Sequence, residues 1–386
     1  MVNRIFHNRV IRIVLAVLLF VLSPVPALVE DEKTSTPAVE VVFVLDTTGS
    51  MGGLIEGAKQ KIWSIVNKIA GGKPTPTIKI GLVAYRDLGD EYVTKVTDLS
   101  EDLDAIFKTL KSFCASGGGD TPESVNQGLN EAVTKIKWSL DKKTLKIIFL
   151  VGDCPPHMDY QNDVKYQETC KDAVTKEIII NTVQCGNISD TARIWQEIAR
   201  LGEGSYIQIA QSGGVVTVAT PYDEKLGKLA RDMDKTTVFS GEKKEREKAA
   251  KILEDSADSA ESLSAPAAAD RAEFKAKSAS VSGGHYAESD LVDKAEKGEL
   301  DLSQYSEERL PEEMKKMSKE EQEKYIAAKV EERKKIKIKI EELSKQRDEY
   351  IKKELEKNGK AKDSFDNKVM DSIKEQASKK GIKYED

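Results

Sequence analysis

"VVFVLDTTGSM", residues 41–51, runs five apolar residues into an acid, three hydroxyl side chains and a glycine. A continuous apolar run of this kind suits a strand covered on both faces. The polar tail has two readings. It can cap the helix that follows, or it can present the carboxylate of Asp46 and the hydroxyls of Thr48 and Ser50 to one cation at the edge of a sheet. The eleven residues allow both, so the choice rests on what the rest of the chain delivers to the same edge.

From Val39 to about Ser240 strand and helix patterns alternate. "LIEGAKQKIWSIVNKIA" places Leu54, Ile55, Ala58, Ile62, Ile65, Val66 and Ile69 at helical spacing, and "GGKPTPT" ends that helix. "IKIGLVAYRD" and "EYVTKVTDL" read as strands joined by the short "LGDE" turn, hence antiparallel. A helix over Leu103 to Phe113 precedes the glycine-rich "SGGGDTPES". There Thr121 is placed to cap and Pro122 to occupy the first turn of the next helix. "TLKIIFLVGD", "IIINTVQCG" and "GSYIQIA" are three further strands separated by helices, and a last helix begins near Pro221. The expected fold class over residues 38–240 is α/β: a doubly wound, mostly parallel sheet with one antiparallel strand.

Composition then shifts. Residues 241–304 are rich in Lys, Glu, Ala and Ser, as in "SADSAESLSAPAAAD", and read as a charged linker or loose helix. Residues 305–386 read as a helical C-terminal region. "SKEE" at Ser318 to Glu321 has the capping-box form and opens a long helix. Ile336, Ile340, Leu343, Tyr350 and Ile351 share one face of it, with Arg347 interrupting. That seam spans only two or three heptads of a coiled-coil pattern, and docking as a helical hairpin or standing as a solvated helix are both open.

The whole chain has 386 residues, 60 basic and 66 acidic, for a net charge of −6. So near a balance gives no electrostatic case for nucleic acid, which wants a concentrated basic field, and no nucleic-acid partner is expected. Arg4, Arg9 and Arg12 precede the apolar run Ile13 to Leu22, and "SPVPA" follows, so residues 1–27 read as a signal peptide. The run falls short of the roughly 20 residues that span a bilayer, so a membrane role would come only through an uncleaved anchor. The expected location is exported, periplasmic or secreted. An oxidising compartment permits disulfides, and Cys114, Cys154, Cys170 and Cys185 allow three complete pairings.

In an open α/β sheet ligands bind beyond the carboxyl ends of the strands. The first strand delivers Asp46, Thr48 and Ser50 there, the loop before the "PESVNQ" helix delivers Asp120 and Thr121, and the fourth long strand delivers Asp153. The second strand adds Asp87. No basic residue stands near the first, third and fourth loops in sequence. Oxygen ligands from short side chains suit a hard cation, with Mg²⁺ the best match and Mn²⁺ or Ca²⁺ as alternatives.

"DTTGSM", "GGGDTPES" and "FLVGD" resemble the three loops of the von Willebrand factor A domain with its metal-ion-dependent adhesion site. Their order and spacing match over about 200 residues. The family's first loop reads Asp-x-Ser-x-Ser, and Thr48 here replaces the first serine while keeping its hydroxyl. The resemblance implies Asp46, Thr48, Ser50, Thr121 and Asp153 as the metal set, with Asp46 and Asp153 acting partly through water. Asp87, Asp120 and His157 would support that set indirectly; a strand-end turn or ion pair for Asp87, a cap for Asp120 and a structural loop role for His157 compete. The run "GDCPPHMDYQNDVKYQETC" is also similar to an exported bacterial subgroup of this family. Cys114 and Cys154 fall close to the second and third metal loops, and Cys170 and Cys185 to one end of the sheet, so Cys114–Cys154 and Cys170–Cys185 are candidate disulfides. The implied function is a metal-dependent binding module, not an enzyme, in which a protein partner's carboxylate completes the ion's shell. The alternatives are a regulatory or recruiting subunit of an enzyme complex, or a metal-dependent hydrolase. No phosphate-binding loop supports a nucleotide enzyme, since "GGLIEGAK" has Ala58 where lysine belongs.

Overall fold

The computed structural model describes residues 37–119, 121–211, 217–277, 289–358 and 365–384. The expected signal peptide, residues 1–27, and Asp120 lie outside the described residues. Six strands, β1 (Ala38–Asp46), β2 (Thr77–Tyr85), β3 (Thr94–Ser100), β4 (Leu145–Gly152), β5 (Ile178–Cys185) and β6 (Glu203–Ile209), form one sheet in the order β3-β2-β1-β4-β5-β6. Only the β2–β3 pair is antiparallel. The α/β expectation therefore holds, down to the hairpin. The strand order reverses direction at β1, which has β2 on one side and β4 on the other. A crevice opens at such a switch point, beyond the ends of β1 and β4.

Alternation along the central strands divides the core. Val39, Val41, Phe43 and Leu45 of β1 face α1 (Gly52–Ala70) and α2 (Leu103–Ser112), whereas Val42 and Val44 face α3 (Val125–Thr134), α4 (Tyr166–Thr175) and α5 (Ser189–Leu201). Both faces of β1 and β4 are buried, as the unbroken apolar runs require. Helix α3 starts later than Thr121. The Glu123 amide donates to Pro155 O and the Ser124 amide to Arg86 O, stitching this segment between two other loops before the helix begins.

The expected linker is structured instead. Residues 241–304 contain α7 (Lys243–Glu261), α8 (Ala265–Lys277) and α9 (Leu291–Glu296). Small side chains let α8 approach closely: Ala269 and Ala272 pack with Leu226, Ala230 and Met233 of α6 (Asp223–Asp234). Its charged residues are buried in pairs. Arg271 reaches Asp104 of α2 through Nε and Nη2, both at 2.8 Å, and Lys275 bonds Asp234 of α6. A charged composition thus hides an interior helix.

Beyond the short α10 (Glu312–Lys315), the long α11 (Lys319–Asn358) begins at the expected capping box, where the Ser318 amide donates to Glu321 Oε2 at 2.7 Å. Ile336, Ile340 and Leu343 join the α6–α8 core, so the apolar seam docks within the same chain. Arg347 interrupts the seam because it is itself buried, bonding Asp223 and Asp270 at 2.7 Å each. Helix α12 (Phe365–Ser378) then returns to the sheet, placing Val369, Met370, Ile373 and Ala377 in the same core as α1. Gln376 and Asn181 of β5 exchange side-chain hydrogen bonds at 2.8 and 3.2 Å. Residues 38–240, 241–304 and 305–386 are therefore parts of one compact unit rather than separate bodies. Among the described residues no helix is long and apolar enough to cross a membrane.

Candidate metal centre

The end of β1 builds the first half of the site. Asp46 is fully buried, and its Oδ1 accepts from both the amide and the hydroxyl of Thr48, at 2.8 and 2.7 Å. That turn brings Thr48 Oγ1 within 3.4 Å of Ser50 Oγ. The hydroxyls spend a proton on the turn and keep lone pairs for a cation. Asp46 Oδ2 is buried with no donor.

β4 supplies the second half. Asp153 Oδ2 accepts from Gln211 Nε2 at 2.7 Å, while its Oδ1 is buried without a donor. Gly152 makes the approach of these elements to each other feasible. A Cβ there would sit 2.4 Å from Tyr85 Oη and 3.1 Å from Asp46 Oδ2. The glycine loop holds the third wall: the Gly49 amide donates to Gly117 O and the Ser116 amide to Thr47 O. Gly118 has φ of +69°, and a Cβ on it would come within 2.8 Å of both Thr48 Cβ and Glu123 Oε1.

Glu123 escaped the sequence reading. It is buried, its Oε2 has no donor, and burial together with Asp46, Asp87, Asp90 and Asp153 pushes its carboxyl from 4.5 to about 9. Burial, opposed by the Thr48 hydrogen bonds, likewise lifts Asp46 from 3.8 to about 7. The only sequence hint was an acid two residues beyond Thr121. The expectation of a rim free of basic residues needs correction too. Arg86 is buried under the first loop, donating to Thr47 O at 3.2 Å and Cys114 O at 2.8 Å and lying over the Tyr92 ring. Its donors are spent on carbonyls and Glu91, so it braces two loops and leaves Asp46 Oδ2 and Asp153 Oδ1 unpaired.

The expected residues separate into two groups. Asp46, Thr48 and Ser50 are joined by hydrogen bonds, and Asp153 is near enough to repel Asp46. Thr121 is exposed, its hydroxyl 3.7 Å from the Cys154 sulfur and so beside Asp153 in the chain. Asp87 and His157 belong to a neighbouring network: Asp87 accepts from Ser124 Oγ at 2.8 Å and Tyr160 Oη at 2.9 Å, and His157 bonds Asp159 and stacks on Tyr160. That network ties α3 to the loop after β4.

Neither candidate disulfide exists; all four cysteines are free. Cys170 belongs to the core on one face of the sheet and Cys185 to the core on the other, so the sheet stands between them. Cys114 is exposed while Cys154 is buried against Thr121.

Do these residues fit a cation? Asp46 and Asp153 each keep one buried carboxylate oxygen without a donor, the hydroxyls of Thr48 and Ser50 lie in the same turn as Asp46, and burial and neighbouring acids drive Asp46 and Glu123 toward their protonated forms. A divalent cation relieves each of these costs. Among the described residues no group of three or more His, Cys, Asp or Glu side chains is set to hold a metal; the oxygens that Asp46 and Asp153 offer are joined by the hydroxyls of Thr48 and Ser50. The donor set fits a hard cation.

Fold and rim together define a doubly wound α/β domain with oxygen side chains gathered at the switch point of its sheet. Residues 40–221 match the family model of the von Willebrand factor A domain, so this stretch of the chain is a von Willebrand factor A domain. It is similar to the mouse von Willebrand factor A domain-containing protein 7, 36% identical over 121 residues, or 31% of this chain and 12% of that protein. This chain thus corresponds to about an eighth of that relative's length. Among solved structures it resembles the SpRpn10 VWA domain, with 16% identity, a TM-score of 0.35, and coverage of 46% of this chain and 89% of that one. It also resembles proximal thread matrix protein 1 from the mussel byssus, with 13% identity, a TM-score of 0.37, and coverage of 47% and 44%.

Proposed function

We propose that this protein is an exported, metal-dependent protein-binding module in which a divalent cation, best Mg²⁺, bridges the rim to a carboxylate of a partner protein. The observation that carries the reading is the pair of buried, donorless oxygens, Asp46 Oδ2 and Asp153 Oδ1, at the switch point of the sheet. Thr48, Ser50 and Thr121 would hold the ion by hydroxyl oxygens, with Asp46 and Asp153 acting directly or through water. When bound, the ion supplies an electrophilic position that a partner's acid can fill. Because hydroxyls take part of the shell, the ion is incompletely neutralised and retains affinity for that acid. An adhesion or scaffold role agrees with the family, whose domains are generally interaction modules without catalysis. The basic head and apolar run of residues 4–22 support export.

Calorimetry tests the metal. Mg²⁺ or Mn²⁺ should titrate one site in the wild type and none in Asp46→Ala or Thr121→Ala. Identical titrations for all three proteins would remove these residues from the site.

A further inference from the structure

We propose a second binding site, built from residues 240–309 and independent of the metal rim: a cleft of about 670 Å³ that takes a small organic phosphate, a phosphomonoester dianion. Its size falls in the range of small-molecule sites. One face of α7 lines it through Glu245, Lys248, Ala249 and Ile252, the i, i+3, i+4, i+7 stripe of a helix. Lys294 of α9 adds to the wall, and the 3-10 turns Leu302–Gln304 and Glu307–Arg309 carry Tyr305 and Arg309 to it.

Charge selects the occupant. Lysines around the cleft are neutralised by acids three or four residues away: Lys243 by Glu247, Lys251 by Glu254 and Lys297 by Asp293. Among the described residues, the three cations that line it, Lys248, Lys294 and Arg309, form no ion pair. The Lys294 ammonium instead donates to Tyr305 Oη at 2.9 Å and lies 5.6 Å from the centroid of that ring. The hydroxyl hydrogen of Tyr305 is left for an acceptor. Glu245 is the one acid of the wall among the described residues, and its Oε2 accepts from the Glu242 amide at 2.9 Å, closing the capping box of α7. Three cations against one acid leave two positive charges facing one cavity. A phosphomonoester matches them, with a charge of about −2 at pH 7 and three acceptor oxygens.

The floor is fixed before any ligand arrives. The Ser240 amide and Oγ both donate to Ser289 O, at 2.7 and 3.1 Å, and the Gly241 amide donates to Arg309 O at 2.9 Å. Gly241 has φ of +116°, and a Cβ on it would come within 2.7 Å of Glu245 Oε2, so this crossing needs glycine. These bonds tie the segments before α7 and α9 to the turn that carries Arg309. The backbone beneath the cations is therefore pre-set, which lowers the ordering cost of binding. Ala249, Ile252 and the Tyr305 ring offer an apolar wall to the body of the ester.

Calorimetry on the full chain tests this with phenyl phosphate, inorganic phosphate and succinate as probes, in Mg²⁺-free bis-Tris chloride so that the rim takes no part. Phenyl phosphate should bind at one site per chain, about tenfold tighter than succinate and more tightly than inorganic phosphate. Lys294→Gln with Arg309→Gln should weaken phenyl phosphate by roughly tenfold or more, with an unchanged melting temperature by circular dichroism. Lys248→Gln, at an exposed position of α7, should weaken it by about threefold or more and decides the matter if the double variant does not fold. No binding of phenyl phosphate, succinate binding as tightly, or binding that ignores the variants would overturn the proposal. Inorganic phosphate binding as tightly as phenyl phosphate would overturn the organic ester in favour of the free ion. Each of these results leaves the metal reading untouched, since no divalent cation is in the cell.

Discussion

Raising the pH should tighten Mg²⁺ binding by a factor that counts protons. In the metal-free protein, burial lifts the Asp46 carboxyl to about 7, and burial with four neighbouring acids lifts that of Glu123 to about 9. A cation needs its carboxylates ionised, so binding below those values expels protons. If Asp46 alone gives one up, affinity falls about tenfold between pH 8 and pH 6; if Glu123 must ionise as well, the fall is about a thousandfold. Isothermal calorimetry in two buffers of different ionisation heat reads both the affinity and the protons released. Glu123→Gln should reduce the larger dependence to the smaller, and leave the smaller one unchanged. The same groups fix a stability trend of defined sign. Each has a raised folded-state value, so its contribution is fully present below about pH 4 and is lost as pH rises through about 7 for Asp46 and about 9 for Glu123. For Asp46 that loss is at most about 4 kcal/mol, at about 1.4 kcal/mol per tenfold. The metal-free melting temperature should therefore drop between pH 5 and pH 8, and saturating Mg²⁺ should restore it. Affinity independent of pH, with no proton release, would refute the assignment of Asp46 to the site.

Two other outcomes follow from the same structure. Arg347→Ala leaves Asp223 and Asp270 buried and facing each other without their cation, so urea denaturation should show a loss of about 3–5 kcal/mol; a loss under about 1 kcal/mol would mean that α11 does not hold α6 through this pair. Thiol titration should find one reactive group in the native protein, Cys114, and four after unfolding without reductant; fewer than four in the unfolded protein would show a disulfide that the fold as described does not contain.

The parts of this fold that the sequence announced are those with period and punctuation. β1 and β4 are continuous apolar runs, α1 and α11 carry clear spacing or a capping box, and the "LGDE" turn marks the antiparallel pair. Asp46, Thr48 and Ser50 were legible because one short turn has to present them together. Glu123, Gln211 and Arg86 were not, since each reaches the rim from a different loop and depends on three-dimensional closure. Segment 241–304 misled for a related reason. Apolar content underrates the burial of this segment, because Arg271 and Lys275 enter the interior as charges and find acids on α2 and α6, as Arg347 of α11 does on α6 and α8. Charge composition measures solvation only when partners are unknown. The free cysteines follow the same logic: proximity along the strands hid the sheet that stands between Cys170 and Cys185.

The pairing of Lys383 and Tyr384 with the end of α1 also sets an order of events. Lys383 pairs with Lys73 in the loop after α1, and the Tyr384 hydroxyl donates to Ile69 O across 315 positions of sequence. One face of the sheet thus remains without its α12 cover until Phe365–Ser378 has been made. Contacts of such separation are slow to form and expose apolar surface meanwhile. The sheet domain therefore stays open while the residues between it and α12 are made, a state suited to being threaded or chaperoned before it closes. Tyr384 is thus fixed beside the first helix of the sheet domain rather than held on a remote tail.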